Sequence, residues 1–340
     1  MVKLGDVINV HYGKALKADQ RVSNGSVHVF GSSGIVGNHD KTLCSYPTII
    51  IGRKGSVGAI TWAPDGGWII DTAYYVEIKD NNKLDLRYLF YILSGIDLTK
   101  KMITTSIPGL NRDDLYDTFI KLPPFEEQKR IVDLLDKAEG IRQKREQAIK
   151  LADDFLRATF ATMYGNPITN PKKWPVHLMG EIIEFKGGNQ PPKSDFIFEP
   201  KQGYIRLVQI RDFKSDKYAT YIPQEKAKRI FEVDDVMIAR YGPPVFQILR
   251  GLSGSYNVAL MKASPKENIR KGFIFYLLQL PEYHDVVVKN SERTAGQTGV
   301  NLELLNKFNV PLPPIYYQDE ILARLARIEK FKEKIEISLN

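Results

Sequence analysis

Leu122-Pro123-Pro124-Phe125-Glu126-Glu127-Gln128 decides the fold, because its frame returns later as Leu312-Pro313-Pro314-Ile315-Tyr316-Tyr317-Gln318. Working outward, further segments match in the same order. Leu4-Gly5-Asp6-Val7-Ile8 is echoed by Met179-Gly180-Glu181-Ile182-Ile183, each followed by a glycine, Gly13 or Gly188. Ile49-Ile50-Ile51-Gly52-Arg53-Lys54-Gly55 parallels Val236-Met237-Ile238-Ala239-Arg240-Tyr241-Gly242, an apolar run that delivers an arginine to its end. Tyr88-Leu89-Phe90-Tyr91-Ile92-Leu93 matches Phe273-Ile274-Phe275-Tyr276-Leu277-Leu278, and Pro108-Gly109-Leu110-Asn111 matches Thr298-Gly299-Val300-Asn301. Ordered self-similarity over this span is the mark of a duplicated unit.

Each copy ends in a long helix. Beyond Pro123-Pro124 the carboxylates Glu126 and Glu127 suit the positive end of a helix dipole. Apolar or small residues then recur at Ile131, Leu135, Ala138, Ile141, Ala148, Ala152, Phe155, Thr159 and Met163, close to a heptad seam, until Gly165-Asn166-Pro167 stops the helix. Such a helix is roughly 58 Å long at the standard rise, more than a small domain is wide. The second helix, from about Tyr317 to Ile337, carries Ile321, Leu325, Ile328, Phe331 and Ile335 on one stripe, and it ends early at Asn340. Two apolar stripes need cover, and the economical arrangement is an antiparallel pair; the alternative packs each helix on its own domain. Between the helices, short β-branched or aromatic runs (27–30, 48–51, 59–62, 68–70, 74–78, then 204–210, 236–239 and 259–262) are separated by Gly, Asn, Asp and Pro. The expected fold class is α+β with mixed or antiparallel sheets, residues 170–175 linking the copies.

Composition sets the broad bounds. Forty-three per cent hydrophobic residues in 340 allow two cores. Lys and Arg exceed Asp and Glu by 48 to 40, giving +8, which tilts the expected partner toward a polyanion. The single cysteine, Cys44, excludes an internal disulfide and a multi-cysteine metal site, so a cytoplasmic location is expected. No apolar run is long enough to span a bilayer, so no membrane association is expected.

Taken twice, the pattern of Leu-Gly-Asp/Glu, an apolar strand ending in Arg-x-Gly, an Asn-led helix start and Leu-Pro-Pro before Gln resembles the specificity subunits of Type I restriction-modification systems. The resemblance covers nearly the whole chain. It implies a first target recognition domain at 1–122, a central spacer helix at 123–165, a second target recognition domain at 166–311 and a distal spacer helix at 312–340, with the two helices packed as an antiparallel coiled coil. It also implies a subunit that reads a bipartite site on double-stranded DNA without catalysing anything itself. Its partners would be two modification subunits that methylate adenine with S-adenosylmethionine, and restriction subunits that use ATP and Mg. No cofactor or metal site is expected in this chain.

Reading DNA needs cations for phosphates and Arg, Asn, Gln, Ser or Thr for base edges. The candidates are Lys14, Lys17, Arg21, Ser32, Ser33, Arg53 and Lys54 in the first copy. In the second they are Lys186, Asn189, Gln190, Lys193, Gln209, Arg211, Arg240, Tyr241 and Arg293. Arg53 and Arg240 sit at the same point of both copies. A shared residue cannot distinguish two half-sites, so these arginines are expected to hold phosphate or brace the loop, and the unshared residues to specify sequence.

Two other readings of the sequence compete with this one. Pro64-Asp65 with Glu77-Ile78-Lys79 satisfies the loose Pro-Asp, Glu-x-Lys pattern of a metal-dependent endonuclease, but it has no counterpart in the second copy. The other is a helical protein-interaction scaffold without DNA contact, against which the net charge argues. Leu122-Pro123-Pro124-Phe125 and Gly242-Pro243-Pro244-Val245 only superficially match the Asp/Asn-Pro-Pro-Tyr/Phe loop of amino-methyltransferases, since leucine or glycine cannot accept the amine proton. The five histidines form no ligand-spaced pair.

Overall fold

The computed structural model describes residues 1–103, 109–242, 244–291 and 299–337; Pro108, Pro243, Arg293 and Thr298 of the sequence motifs lie outside them. Two compact units, Met1–Gln143 and Lys144–Asn340, divide within one helix, Phe125–Tyr164. That helix has 40 residues and is therefore about 60 Å long at the standard rise.

In the first unit the strand Thr48–Gly52 is buried along its whole length. It lies inside an antiparallel sheet ordered Ile8–Tyr12, Ala73–Ile78, Thr48–Gly52, Ile60–Ala63. Successive side chains of a strand leave on opposite faces. Ile49 and Ile51 therefore enter one core with Leu89 and Leu93 of the helix Leu86–Ser94, while Ile50 enters another with Phe30, Cys44 and Ile69. The second core belongs to a three-stranded sheet ordered Gly34–His39, Val27–Gly31, Trp68–Ile69, whose last pair is parallel. A strand covered on both faces must be apolar throughout, which is why 48–51 reads as an unbroken run.

The second unit repeats the plan. Its inner sheet runs Ile183–Gly187, Leu260–Pro265, Val236–Ala239, Ile248–Leu249. Val236 and Ile238 pack with Phe273 and Leu277 of the helix Lys271–Leu277, whereas Met237 packs with Val208, Phe231 and Tyr256. The outer sheet has one strand more: Tyr221–Pro223, Tyr204–Val208, Gly254–Tyr256, Ile230–Phe231, with the middle pair parallel. The expected run 204–210 ends at Val208, because the Gln209 amide donates to Asp212 Oδ2 (2.8 Å) and the chain turns into the short 3-10 helix Ile210–Phe213.

The shared residues of the repeat are its fasteners. Gln128 and Gln318 are fully buried. Gln128 Oε1 accepts from the Asp85 amide (2.9 Å), and its Nε2 donates to the carbonyls of Lys83 (2.7 Å) and Pro123 (2.9 Å). Gln318 does the same with the Arg270 amide (2.9 Å) and the carbonyls of Asn268 and Pro313 (both 2.8 Å). Each glutamine thus pins the start of a long helix to the start of the shorter helix above the sheet. An ion pair reinforces each junction, Arg87–Asp136 at 2.9 Å and Arg270–Asp319 at 2.8 Å. Gly13 and Gly188 are required by close approach, since a Cβ would stand 2.1 Å from the Ile70 carbonyl oxygen or 1.9 Å from that of Asn257.

The long helices correct one expectation in detail. Within the second unit the end of Phe125–Tyr164 and the helix Ile315–Ile337 run antiparallel: Tyr317 Oη donates to the Met163 carbonyl (3.0 Å) and Lys332 pairs with Asp153 (2.7 Å). Of the expected seam Ala152 is buried, but the other buried residues are Leu156, Phe160 and Tyr164, outside that seam, and Phe155 is 60% exposed. Phe160 meets Phe273 tilted, with ring centres 5.1 Å apart, and Tyr164 meets it edge to face at 5.5 Å. Phe155, Thr159 and Met163 instead line a cleft with Arg324, Arg327 and Ile328. On the last helix Ile321 and Leu325 are buried as expected, but Phe331 is exposed. Each helix therefore packs on its domain and lies beside the other. The residues expected to be a linker are tied down: Asn170 bonds both backbone groups of Trp174, and Lys172 Nζ donates to the Met163 carbonyl and the Tyr317 hydroxyl. Among the described residues no helix is long and apolar enough to cross a membrane.

Candidate nucleic-acid interface

The strand Thr48–Gly52 ends in a tight turn in which the Gly58 amide donates to the Gly52 carbonyl and the Gly52 amide to that of Ala59, both 2.8 Å. The amides of Arg53 and Lys54 both donate to the Thr72 carbonyl (2.9 and 3.1 Å), and the Arg53 carbonyl accepts from the Leu110 amide (3.0 Å). Arg53 is therefore fixed at the backbone from two sides. Its guanidinium carbon lies 5.1 Å from the ring centre of Tyr12 and 5.7 Å from that of Tyr74, and Nη1 donates to the Asp71 carbonyl (3.2 Å). Arg112, which follows the helix cap Asn111, brings a second guanidinium over Tyr12 at 5.3 Å. Burial pushes the Tyr74 hydroxyl up to about 12, the neighbouring Tyr12 adding to the effect and Arg53 opposing it; that hydroxyl donates to the Leu110 carbonyl (2.9 Å).

Several expected residues gather at this end of the first unit. Ser32, in the turn between Val27–Gly31 and Gly34–His39, lies against Gly52 and Gly55. Lys14 is exposed, its backbone clamped by the Ile69 carbonyl (2.9 Å) and the Trp68 indole (3.0 Å), and Lys54 is exposed on the turn beside Arg53. Ser33 is exposed beside Ser32, and Lys17 is exposed before the short 3-10 helix Ala18–Gln20. Arg21 is different: its guanidinium donates to the carbonyls of Val36 (2.8 Å) and Leu16 (3.4 Å), so it braces the loop.

In the second unit Arg240 repeats the backbone fixation of Arg53. Its amide donates to the Ala259 carbonyl (2.8 Å) and its carbonyl accepts from the Val300 amide (3.1 Å). Its side chain lies instead over Tyr241, at 5.0 Å. Asn189 is brought to the same end by donating its amide to the Tyr256 carbonyl (3.1 Å), while Gln190 and Lys193 are exposed on the loop beyond. Gln209 and Arg211 lie on the next segment. Gln209 Nε2 donates to Thr220 Oγ1 (3.5 Å), and Arg211 lies over the exposed Tyr218 at 5.5 Å with Lys217 on the same ring at 5.2 Å. Burial raises the Asp212 carboxyl, the Gln209 amide bond and nearby arginines only partly opposing it. Lys186 is occupied by Glu184 at 2.8 Å. Arg293 lies outside the described residues.

Tyr12, Arg112 and Tyr218 were not singled out from the sequence. The available signal was a mismatch inside a match: the strands Ile8–Tyr12 and Ile183–Gly187 correspond, so Tyr12 stands where the second copy has Gly187, and Arg112 follows Asn111 where Leu302 follows Asn301.

Two residues of the endonuclease pattern, Glu77 and Lys79, are engaged in the fold. Glu77 Oε2 lies 2.9 Å from His11 Nε2, and Lys79 Nζ donates to the Gly5 carbonyl (2.6 Å). Lys266 makes the same bond to the Gly180 carbonyl (2.6 Å), which marks Lys79 as a fastener of the repeat. Among the described residues no group of three or more His, Cys, Asp or Glu is placed to hold a metal.

Comparison with known proteins agrees with this geometry. The family model described as "Type I restriction modification DNA specificity domain" matches residues 1–151 and 171–340. The Type I restriction enzyme EcoBI specificity subunit of Escherichia coli is 22% identical over 335 residues, covering 87% of this chain and 69% of that protein. The MjaVIII specificity subunit of Methanocaldococcus jannaschii is 21% identical over 305 residues, covering 77% of this chain and 69% of that protein. The fold is similar to that of the Type-I restriction-modification system S subunit from M. genitalium, with a TM-score of 0.62, 16% identity, and coverage of 99% of this chain and 91% of that one. A chain from a structural study of complex assembly and conformational transition in the type I R-M system superposes with a TM-score of 0.55 at 20% identity, covering 99% of this chain and 92% of that one.

Proposed function

Because the chain belongs to the family of Type I restriction modification DNA specificity domains, we propose that it is the sequence-reading subunit of such a system, with one unit for each half of a bipartite DNA site. The observation that carries this reading is the pairing of like frame with unlike loops. Gln128 and Gln318, Lys79 and Lys266, and the backbones of Arg53 and Arg240 are held alike, whereas the side chains around the two arginines differ. A common frame with variable loops suits two readers of different sequence. In this reading residues 1–122 and 166–311 are the readers, and 123–165 and 312–340 are the spacers. Lys14, Lys54, Ser32 and Ser33 in the first reader, with Asn189, Gln190, Lys193, Gln209, Arg211 and Tyr241 in the second, supply the contacts that differ between half-sites. Lys17 and Lys186 hold phosphates at the margins, and Arg21 acts as a brace.

The chain itself carries out no catalysis and holds no cofactor. Methylation from S-adenosylmethionine falls to two modification subunits, and translocation and cleavage with ATP and Mg to the restriction subunits, in the cytoplasm. Binding to a mixed-sequence DNA duplex as a function of salt, with the modification subunits present, tests the reading. Affinity should fall steeply as salt rises because neutralised phosphates recapture counterions. Absence of binding at low salt overturns it.

A further inference from the structure

Resting on that reading, we propose that Arg53 and Arg112, gathered over the ring of Tyr12, form a two-arginine clamp for a single phosphodiester group of the DNA backbone, and that only the first unit has it. Both guanidiniums lie about equally far from one ring centre, 5.1 and 5.3 Å. Neither has a carboxylate partner among the described residues, and Arg112 Nε is buried without a hydrogen-bond partner. Two like charges beside one ring, neither of them in an ion pair among the described residues, leave a site whose electrostatics call for an anion. Guanidinium donors match phosphate oxygens in geometry as well as charge.

The supports are rigid. Arg53 is fixed by amide bonds on both sides, Arg112 stands on the cap of a helix, and Tyr12 ends a strand of the inner sheet. Tyr12 is 45% exposed, so the cluster opens to solvent. It also adjoins Lys54, whose backbone bridges to Gly109, one residue before the Leu110 amide that holds Arg53. Tyr12 is a positioning residue: its ring attracts both guanidiniums and limits their freedom before DNA arrives.

Among the described residues the second unit retains the arginine and lacks the rest. Gly187 stands where Tyr12 would, Leu302 where Arg112 would, and Arg240 lies over the adjacent Tyr241 instead. The clamp therefore gives the first reader a phosphate contact without an equivalent in the second.

Arg112→Ala, Arg112→Lys, Tyr12→Leu and Tyr12→Phe are to be prepared in the full chain with its modification subunits. Binding to a mixed-sequence duplex is measured across a salt series, and thermal melting identifies any variant that fails to fold. Loss of one phosphate contact lowers the slope of log affinity against log salt by about 0.9. Arg112→Ala should show part of that decrease, since Arg53 remains on the same phosphate, and Arg112→Lys should restore most of what is lost. Tyr12→Leu should weaken binding while Tyr12→Phe, which keeps the ring, should not. The sites methylated in cells should be unchanged by all four, because a backbone contact carries no sequence information. An unaltered slope in a folded Arg112→Ala overturns the clamp and leaves the parent reading intact. A changed set of methylated sites assigns Arg112 to base reading and likewise overturns it. Absence of salt-dependent binding by the unaltered chain overturns the parent reading and the clamp together.

Discussion

Gln128 and Gln318, one in each unit, make the same three hydrogen bonds. Their chemistry explains the choice: an amide both accepts and donates, so one side chain satisfies the free amide and a loop carbonyl at the start of one helix and a loop carbonyl just before the other. Gln128→Leu leaves the Asp85 amide and the Lys83 carbonyl unpaired in a buried place, and should cost about 1–3 kcal/mol. Gln143→Leu, exposed further along the same helix, should stay within about 0.5 kcal/mol. Urea denaturation compares the two, and equal midpoints would show that the lock is without energetic weight. The position of the glutamine was legible from the repeat, but two of its three partners were not, because Lys83 and Asp85 lie in a loop more than 40 residues upstream. The same holds for Tyr12, Arg53 and Arg112. Nothing local to any of the three announces the other two, and only the failure of Tyr12 and Arg112 to match the second copy sets them apart.

At the scale of elements, the buried strands were legible and the helix faces less so. An unbroken apolar run at 48–51 has one explanation, burial on both faces, and both cores are present. The long helix carries apolar residues on two adjoining faces. Phe155, Thr159 and Met163 recur every fourth residue along one face, and Leu156, Phe160 and Tyr164 do the same one residue further on and meet the domain. Periodicity alone does not say which face finds a partner; the aromatic surface of Phe273 and Tyr276, with ring centres 5.1 and 5.5 Å from Phe160, decides it. Phe160→Ala should therefore cost about 3–5 kcal/mol, while Phe155→Ala should stay within about 0.5 kcal/mol. Denaturant titration of the two variants measures the difference, and the reverse order would restore the heptad seam as the buried face.

For the molecule as a whole, the duplication was legible from end to end because shared fasteners recur in the same order, whereas the reading surface was only partly so because it is made of loops that differ. If the continuous helix Phe125–Tyr164 sets the distance between the two readers, inserting one helical turn into its exposed middle should change the number of bases separating the methylated half-sites. Sequencing methylated DNA from cells carrying the altered system measures this, and an unchanged gap would remove the helix from that role. The paired glutamine junctions have an evolutionary consequence. Two of the three bonds at each junction reach backbone carbonyls and the third a backbone amide, so none depends on the identity of the side chain it meets. A genetic crossover at Leu-Pro-Pro would deliver a foreign reader to a resident helix with its coupling intact, making the junction a ready seam for recombination and new specificities reachable by exchange of whole segments.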